Sequence, residues 1–181
     1  MTFEEKTLDT ERLFEGKIIN VRRDRVTVME GESFREIVEH NGGAVIAAVK
    51  SDGNMIMVRQ FRKPAERVML EVPAGKIDSG EDPAVTAVRE LKEETGYTAR
   101  KIRKLTQMYP SVGYSEEILH IYLCTDLEPG ETNPDENEAI DIEEYPIDTL
   151  VQMVMNGEIQ DGKSQVAILM VKTLLAEGEL Q

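Results

Sequence analysis

The chain has 181 residues, which suits one domain with a small appendage and allows a core without disulfide staples. Its 35 acidic against 21 basic residues leave a net charge of −14, which argues against a general nucleic-acid binder, and no stretch reaches the roughly 20 apolar residues of a membrane span. The single cysteine, Cys124, cannot form an intrachain disulfide, and the acidic start "MTFEEKTLDTERLFEG" lacks the apolar core of a secretion signal. The expectation is a cytoplasmic protein with no nucleic-acid or membrane partner.

Strand signals fill the first half. "KIINVRRDRVTV" and "FREIVEH" read as short strands, and residues 1–41 form an appended set of N-terminal strands ahead of a larger domain at 42–181. "GAVIAAVK" and "NMIMVRQF" are apolar runs joined by "SDG", a hairpin signal. "VMLEVPAG" reads as a strand ended by Pro73 and Gly75. Residues 82–95 carry a helical pattern, with Asp82 or Ser79 as its cap and Pro83 in its first turn. Strands resume at "IRKLTQMY" and "EEILHIYLCT", an acidic loop "DLEPGETNPDENEA" follows, and "IDIEEYPI" is a last strand. Two helices close the chain: "DTLVQMVMNG", capped by Asp148, and "SQVAILMVKTLLAEG", opening at Ser164 and stopping near Gly178. Many short strands with a helix in the middle and helices at the end describe an α+β sandwich.

The helix carries the chemistry. At about 100° per residue, Ala84, Val85, Ala87, Val88 and Leu91 share an arc that faces a core. Glu90 and Glu94 lie about 40° apart beside that arc, and Glu93 lies on the other side of Glu90. Crowded like charges cost a few tenths of a kcal/mol per pair, on the order of 0.2–0.5. Arg89 precedes Glu93 by four residues and can pair with it, whereas Glu90 and Glu94 have no comparable cation at helical spacing. Such a face is either solvated or a site for a hard divalent cation, Mg²⁺ or Mn²⁺. The Gly-rich loop "PAGKIDSGE" just before it favours the second, because it brings a backbone carbonyl and Glu81 to the same place.

Gly75, five residues, Glu81, seven residues, Arg89-Glu90-Leu91, one residue, Glu93-Glu94, one residue, Gly96-Tyr97: this spacing resembles the Nudix box at every fixed position. The resemblance implies a Nudix fold, a mixed β-sheet sandwiched between helices, with a small N-terminal antiparallel sheet ahead of it. It implies Mg²⁺-dependent hydrolysis, with Mn²⁺ as a substitute, of a nucleoside diphosphate linked to another moiety. Carried onto this chain, it makes Glu90, Glu93, Glu94 and the Ala74 carbonyl the metal ligands. Arg89 orients Glu93, which counts with it among the catalytic residues.

Nearly the whole chain looks like the ADP-ribose pyrophosphatase subfamily, through "LFEGKIINV", "VRQFRKPAERVMLEVPAGKI" and "DENEAIDIEEYPI". That likeness implies cleavage of ADP-ribose, or a similar nucleoside diphosphate sugar, to AMP and ribose 5-phosphate. It also implies a homodimer whose N-terminal strands help build the partner's substrate site. Arg62 aligns with a substrate-contacting arginine. Arg59, Lys63 and Glu71 lie on the same segment and are further candidates for substrate binding, although the basic cluster also reads as a solvated loop. A glutamate of the acidic loop is implied as the catalytic base, Glu136 first and Glu138 second. One departure stands out: Val112 occupies the place of a turn proline common in relatives, within "YPSVGYSEE". The alternatives are a Nudix pyrophosphatase for nucleoside triphosphates or dinucleoside polyphosphates, and a nucleotide-binding domain without catalysis. Of the two histidines, His120 in its strand-like run reads as structural.

Overall fold

The computed structural model describes residues 2–133 and 139–180. It is an α+β protein whose described residues form three sheets and three α-helices, and it divides into two compact units: Met1–Gly42 with Tyr109–Ile118, and Gly43–Met108 with Leu119–Gln181.

The first unit is an antiparallel meander of β1 (Thr7–Glu15), β2 (Asn20–Thr27) and β3 (Glu32–Glu39), with β2 in the middle. Every residue of β1 is exposed, so it carries no alternation of buried and exposed positions from which a strand could be read. β2 buries Val26 and Asp24; the Asp24 carboxylate accepts from the Thr10 hydroxyl at 2.9 Å and from Arg22 Nε at 3.3 Å. Residues 109–118 join this sheet. The Val38 N–H donates to the Tyr114 carbonyl at 2.7 Å and the Glu116 N–H to the Val38 carbonyl at 3.1 Å. Val112 lies in this segment and is 80 % exposed.

The second unit is organised on β4 (Gly43–Ala48), buried along its whole length. It runs parallel to β9 (Leu119–Glu128) on one edge and antiparallel to β7 (Ala74–Lys76) on the other; β8 (Thr98–Met108) completes a four-stranded mixed sheet in the order β7-β4-β9-β8. Because side chains alternate across a strand, β4 faces two cores. Val45 and Ala47 pack with Leu150 of α2 (Ile147–Met155) and with Ile168 and Val171 of α3 (Gly162–Glu177). Ala44, Ile46 and Ala48 pack with Ala87 and Leu91 of α1 (Pro83–Thr95). Truncating the fully buried Leu91 to Ala in such a core costs about 2–5 kcal/mol.

Four local expectations are corrected. The "SDG" segment does turn, with the Gly53 N–H on the Lys50 carbonyl at 3.0 Å, but β4 and the next strand, β5 (Asn54–Arg62), share only the bridge Val49–Met55. Both edges of β4 are taken by β7 and β9, so β5 pairs instead with β6 (Arg67–Glu71) and β10 (Asp141–Pro146) in a separate sheet. Gly75 does not end a strand: Pro73 separates β6 from β7, its carbonyl accepts from the Ile46 N–H at 2.8 Å, and the ladder continues across Ala44–Gly75. At the last two helices, Asp148 sits inside the first turn of α2 behind Pro146, and α3 opens at Gly162, capped by Asp161, which leaves Ser164 within the helix. The first helix follows its cap signals, but Val85, expected on the arc that faces the core, is 56 % exposed, because it lies about 100° round the helix from Ala84, at the margin of that arc. Asp82 accepts from the Ala84 N–H at 2.8 Å, and Gly96 closes α1 at φ +75°, where a Cβ would lie 2.6 Å from the Gly130 carbonyl oxygen.

Candidate active site

Two pieces of chain meet here: the polar edge of α1 and the strip Glu71–Lys76 that runs from β6 into β7. Their closest approach is at Gly75, where a Cβ would fall 1.8 Å from the Glu90 carboxyl carbon. Only a residue without a side chain lets Glu90 lie over this peptide. The next acid on that edge, Glu94, is 4 % exposed and accepts from the Ala74 N–H at 3.1 Å. Ala74, Gly75, Glu90 and Glu94 are thus brought together.

Arg89 gathers the rest. Its Nη1 donates to Glu90 at 2.7 Å and to Glu93 at 2.8 Å; Nε and Nη2 reach Glu81 at 3.3 and 3.1 Å. The expected pair with Glu93 is present. Glu90 has no cation at helical spacing, but the long guanidinium arm of its immediate neighbour Arg89 reaches it. Glu81 also accepts from the Thr86 hydroxyl at 2.7 Å; Arg89 first, and then Thr86, hold its carboxyl down to about 2. Thr86, fully buried, had no distinguishing signal in the sequence.

Carboxylates and a peptide carbonyl form a hard oxygen set of the kind Mg²⁺ and Mn²⁺ take, and the Glu90 carboxylate lying directly over Gly75 sets its oxygens beside the Ala74–Gly75 peptide, a donor set that fits such an ion. Among the described residues, no three His, Cys, Asp or Glu side chains are already grouped to hold one. Glu90 and Glu93 turn to Arg89, and Glu94 turns to the Ala74 amide.

The other predicted residues separate into distinct pairs. Arg62 grips Glu71 through Nε and Nη2, both at 2.7 Å, and the Lys163 ammonium also reaches Glu71. Glu71 is 1 % exposed; burial raises its pKa, but the bonds to Arg62 and the charge and bond of Lys163 outweigh that and hold it below the usual carboxylate range. Both Glu71 oxygens are thus engaged by cations of the protein itself. The Glu71 bonds, against desolvation, hold Arg62 above its ordinary value, and the negative charges of Glu94 and Asp161 add to this. Arg59 pairs with Glu143 of β10, at 2.6 and 2.9 Å. Lys63 lies in a 3-10 turn with its side chain 80 % exposed, paired with Glu66.

Lys163, Asp161 and Ser164 are functional candidates that sequence reasoning missed; their signal was the cap-like "DGKS" at the start of α3. Glu136 and Glu138 lie outside the described residues. The loop ahead of them is tied to α1, with the Asn133 N–H on the Glu93 carbonyl at 3.0 Å. For His120, burial first and Lys104 second hold the pKa below the ordinary imidazole range, and its buried Nδ1 has no partner among the described residues. A cavity of about 410 Å³ lined by Val49, Lys50, Lys101, Ile147 and Leu175 contains none of the box residues.

Residues 40–166 match the NUDIX domain. The chain is 43 % identical over 170 residues to the ADP-ribose pyrophosphatase of Bacillus subtilis (strain 168), covering 92 % of each protein. It is 40 % identical over 169 residues to the methanol dehydrogenase activator of Bacillus methanolicus, covering 92 % of this chain and 91 % of that one. Its fold superposes on the crystal structure of an ADP compounds hydrolase with a TM-score of 0.85, at 21 % identity and over 99 % and 98 % of the two chains. The chain belongs to the Nudix family, as an ADP-ribose pyrophosphatase-like hydrolase.

Proposed function

We propose that the protein hydrolyses the pyrophosphate bond of ADP-ribose, or of a close nucleoside diphosphate sugar, to AMP and ribose 5-phosphate with Mg²⁺ or Mn²⁺. The observation that carries this reading is the convergence of Glu90 and Glu94 on the Ala74–Gly75 peptide, where a Cβ would sit 1.8 Å from the Glu90 carboxyl carbon. Glu90, Glu93, Glu94 and the Ala74 carbonyl hold the metal. Bound there, Mg²⁺ polarises phosphoryl oxygens and lowers the pKa of an attacking water. Arg89 keeps the carboxylates oriented when they engage the ion and offsets their mutual repulsion when they do not. Arg62, presented by Glu71 and still 38 % exposed along its side chain, takes the non-reacting phosphate. Arg59 and Lys63 contribute charge on the approach. Glu136, or Glu138 in its place, takes the water proton.

The acting species is a cytoplasmic homodimer. Leu8, Leu13, Phe14 and Phe34 of the N-terminal strands are all exposed, and Cys124 is a buried thiol whose pKa burial pushes up to about 12. A second copy covering those apolar side chains is the economical way to bury them. Light scattering at micromolar concentration should give twice the monomer mass; a fully active monomer would refute the dimer. Function itself is tested with a panel of ADP-ribose, a nucleoside triphosphate and a dinucleoside polyphosphate, with Mg²⁺ and products resolved by chromatography. AMP and ribose 5-phosphate from ADP-ribose at the highest kcat/KM are expected. Preferential turnover of either other substrate would reassign the enzyme.

A further inference from the structure

The amide of Val72 sits in the gap between β6 and β7, and its partner comes from α3. The Val72 N–H donates to the Ser164 hydroxyl at 2.8 Å, and Ser164 is fully buried. A hydroxyl has one proton, and with its acceptor side turned to Val72 it donates that proton to Asp161 Oδ2. The same carboxylate oxygen accepts from the Ser164 N–H at 3.1 Å and from Lys163 Nζ at 2.9 Å. Lys163 also reaches Glu71. Consecutive residues of the strip, Glu71 and Val72, are therefore held by consecutive residues of α3, Lys163 and Ser164. Two residues beyond Val72 the strip donates the Ala74 N–H to Glu94, and one residue further Gly75 lies under Glu90.

We propose that Ser164 is a positioning residue for the hydrolytic site: its hydroxyl clamps the Val72 amide and so sets the Ala74–Gly75 peptide against Glu90 and Glu94. This inference rests on the proposed function, since it assigns Ser164 a part in metal binding and turnover at that site. It touches neither ion nor substrate. Asp161 and Lys163 complete the clamp, the first by fixing the direction of the Ser164 hydroxyl and the second by tying Glu71 to the same helix turn. A buried serine that only satisfied a stray amide would contribute stability and nothing else. A serine that sets the strip would also govern how well the metal ligands converge. Groups that orient metal ligands through another residue typically change affinity or activity by about 10- to 100-fold when removed.

The test compares Ser164→Ala and Ser164→Thr with Ile168→Ala, a cavity-forming change one turn further along the same helix that leaves the Ser164 hydroxyl in place. Three quantities are read in folded protein: Mn²⁺ affinity by titration, kcat for ADP-ribose with Mg²⁺, and hydrogen exchange at the Val72, Ala74 and Gly75 amides without metal. Ser164→Ala should weaken Mn²⁺ binding and kcat by about 10- to 100-fold and accelerate those amides. Ser164→Thr, which keeps the hydroxyl, should recover most of the loss. Ile168→Ala should lower the thermal midpoint while leaving Mn²⁺ affinity and kcat unchanged. Wild-type Mn²⁺ affinity and exchange in Ser164→Ala would overturn the proposal, as would equal losses in Ile168→Ala. Should Ser164→Ala not fold, Asp161→Asn, which retains a capping oxygen, takes its place: weaker Mn²⁺ binding supports the clamp and unchanged binding overturns it. A wild-type protein that binds Mn²⁺ but leaves ADP-ribose intact would remove the substrate assignment, and affinity and exchange would still decide the role of Ser164.

Discussion

The N-terminal sheet and the strip Glu71–Lys76 are both rich in ion pairs, yet the pairs do different work. In the sheet, Arg23 bonds Glu11 with side chains 42 % and 59 % exposed, and Arg25 bonds Glu32 with 41 % and 52 % exposed. Around the strip, Glu71 has a side chain only 2 % exposed and meets Arg62 and Lys163, the latter 12 % exposed. Water screens the first set and its net contribution is small. The second set is committed, because removing one partner strands a buried charge. A chain with net charge −14 uses exposed cations to keep the sheet from repelling itself and buried ones to hold a reactive geometry.

The sharpest break of that comparison is at the strip itself. Gly75→Ala places a methyl 1.8 Å from the present Glu90 carboxyl carbon, so Glu90 must leave. Glu94→Gln removes a charge without changing shape. Both should lower kcat by orders of magnitude with near-normal circular dichroism, and a loss below about tenfold, roughly 1.4 kcal/mol, would count against metal contact. Chelator-treated protein should be inactive and recover with Mg²⁺ or Mn²⁺; full activity after verified metal removal would sink the mechanism.

Next in size is the base. Glu136→Gln should cost about 10² to 10⁴ in kcat with little change in KM. If Glu138→Gln shows that loss instead, the register of the loop assignment moves by two residues; if neither does, Glu93 is the next base to test.

How much of this was legible in the sequence depended on the kind of interaction. The box spacing singled out Glu90, Glu93 and Glu94 as the proposed metal acids, Asp82 and Gly96 framed their helix, and the Arg89–Glu93 pair followed from an i,i+4 offset. Contacts between distant segments left little trace. Nothing local says that Lys163 reaches Glu71 or that Asn133 docks on the Glu93 carbonyl. The "SDG" turn misled because a turn signal reports a reversal of direction, not which strand fills an edge. β1 was silent because a strand with no buried face has no period to detect.

The buried pair gives a stability prediction with a pH signature. Arg62→Met leaves Glu71 to Lys163 alone and should cost about 3 kcal/mol, the lower end for breaking a buried pair, read from urea unfolding. Glu71 has a depressed pKa in the folded state, so its contribution is fully present above the ordinary carboxylate value of 4.5 and is lost as pH falls through the lowered one. Glu71→Gln should therefore be destabilising at pH 7, and its deficit against wild type should shrink as the pH is taken below that value. A deficit that persists unchanged to pH 3 would mean that shape, rather than charge, makes the contact.

The smallest effect belongs to the exposed sheet. Arg23 donates to Glu11 at 2.6 Å and its guanidinium carbon lies 5.2 Å from the centre of the Phe34 ring, so two favourable contacts converge on one cation. In the single chain the Glu11 and Phe34 side chains are both exposed. A double-mutant cycle of Arg23→Gln and Glu11→Gln should give a coupling of about 0.2–1 kcal/mol, measured as the difference in unfolding free energy. Raising the salt from 0.1 to 1 M shortens the screening length from about 10 Å to about 3 Å and should weaken even that. The same cycle on Arg62 and Glu71 should give a larger coupling that salt changes far less, because Glu71 is out of reach of counterions. Equal couplings, or equal salt sensitivities, would abolish the distinction between the two regions. A coupling at Arg23–Glu11 well above 1 kcal/mol would indicate that this surface is dry in solution, and repeating the cycle across protein concentration would show whether a second copy makes it so.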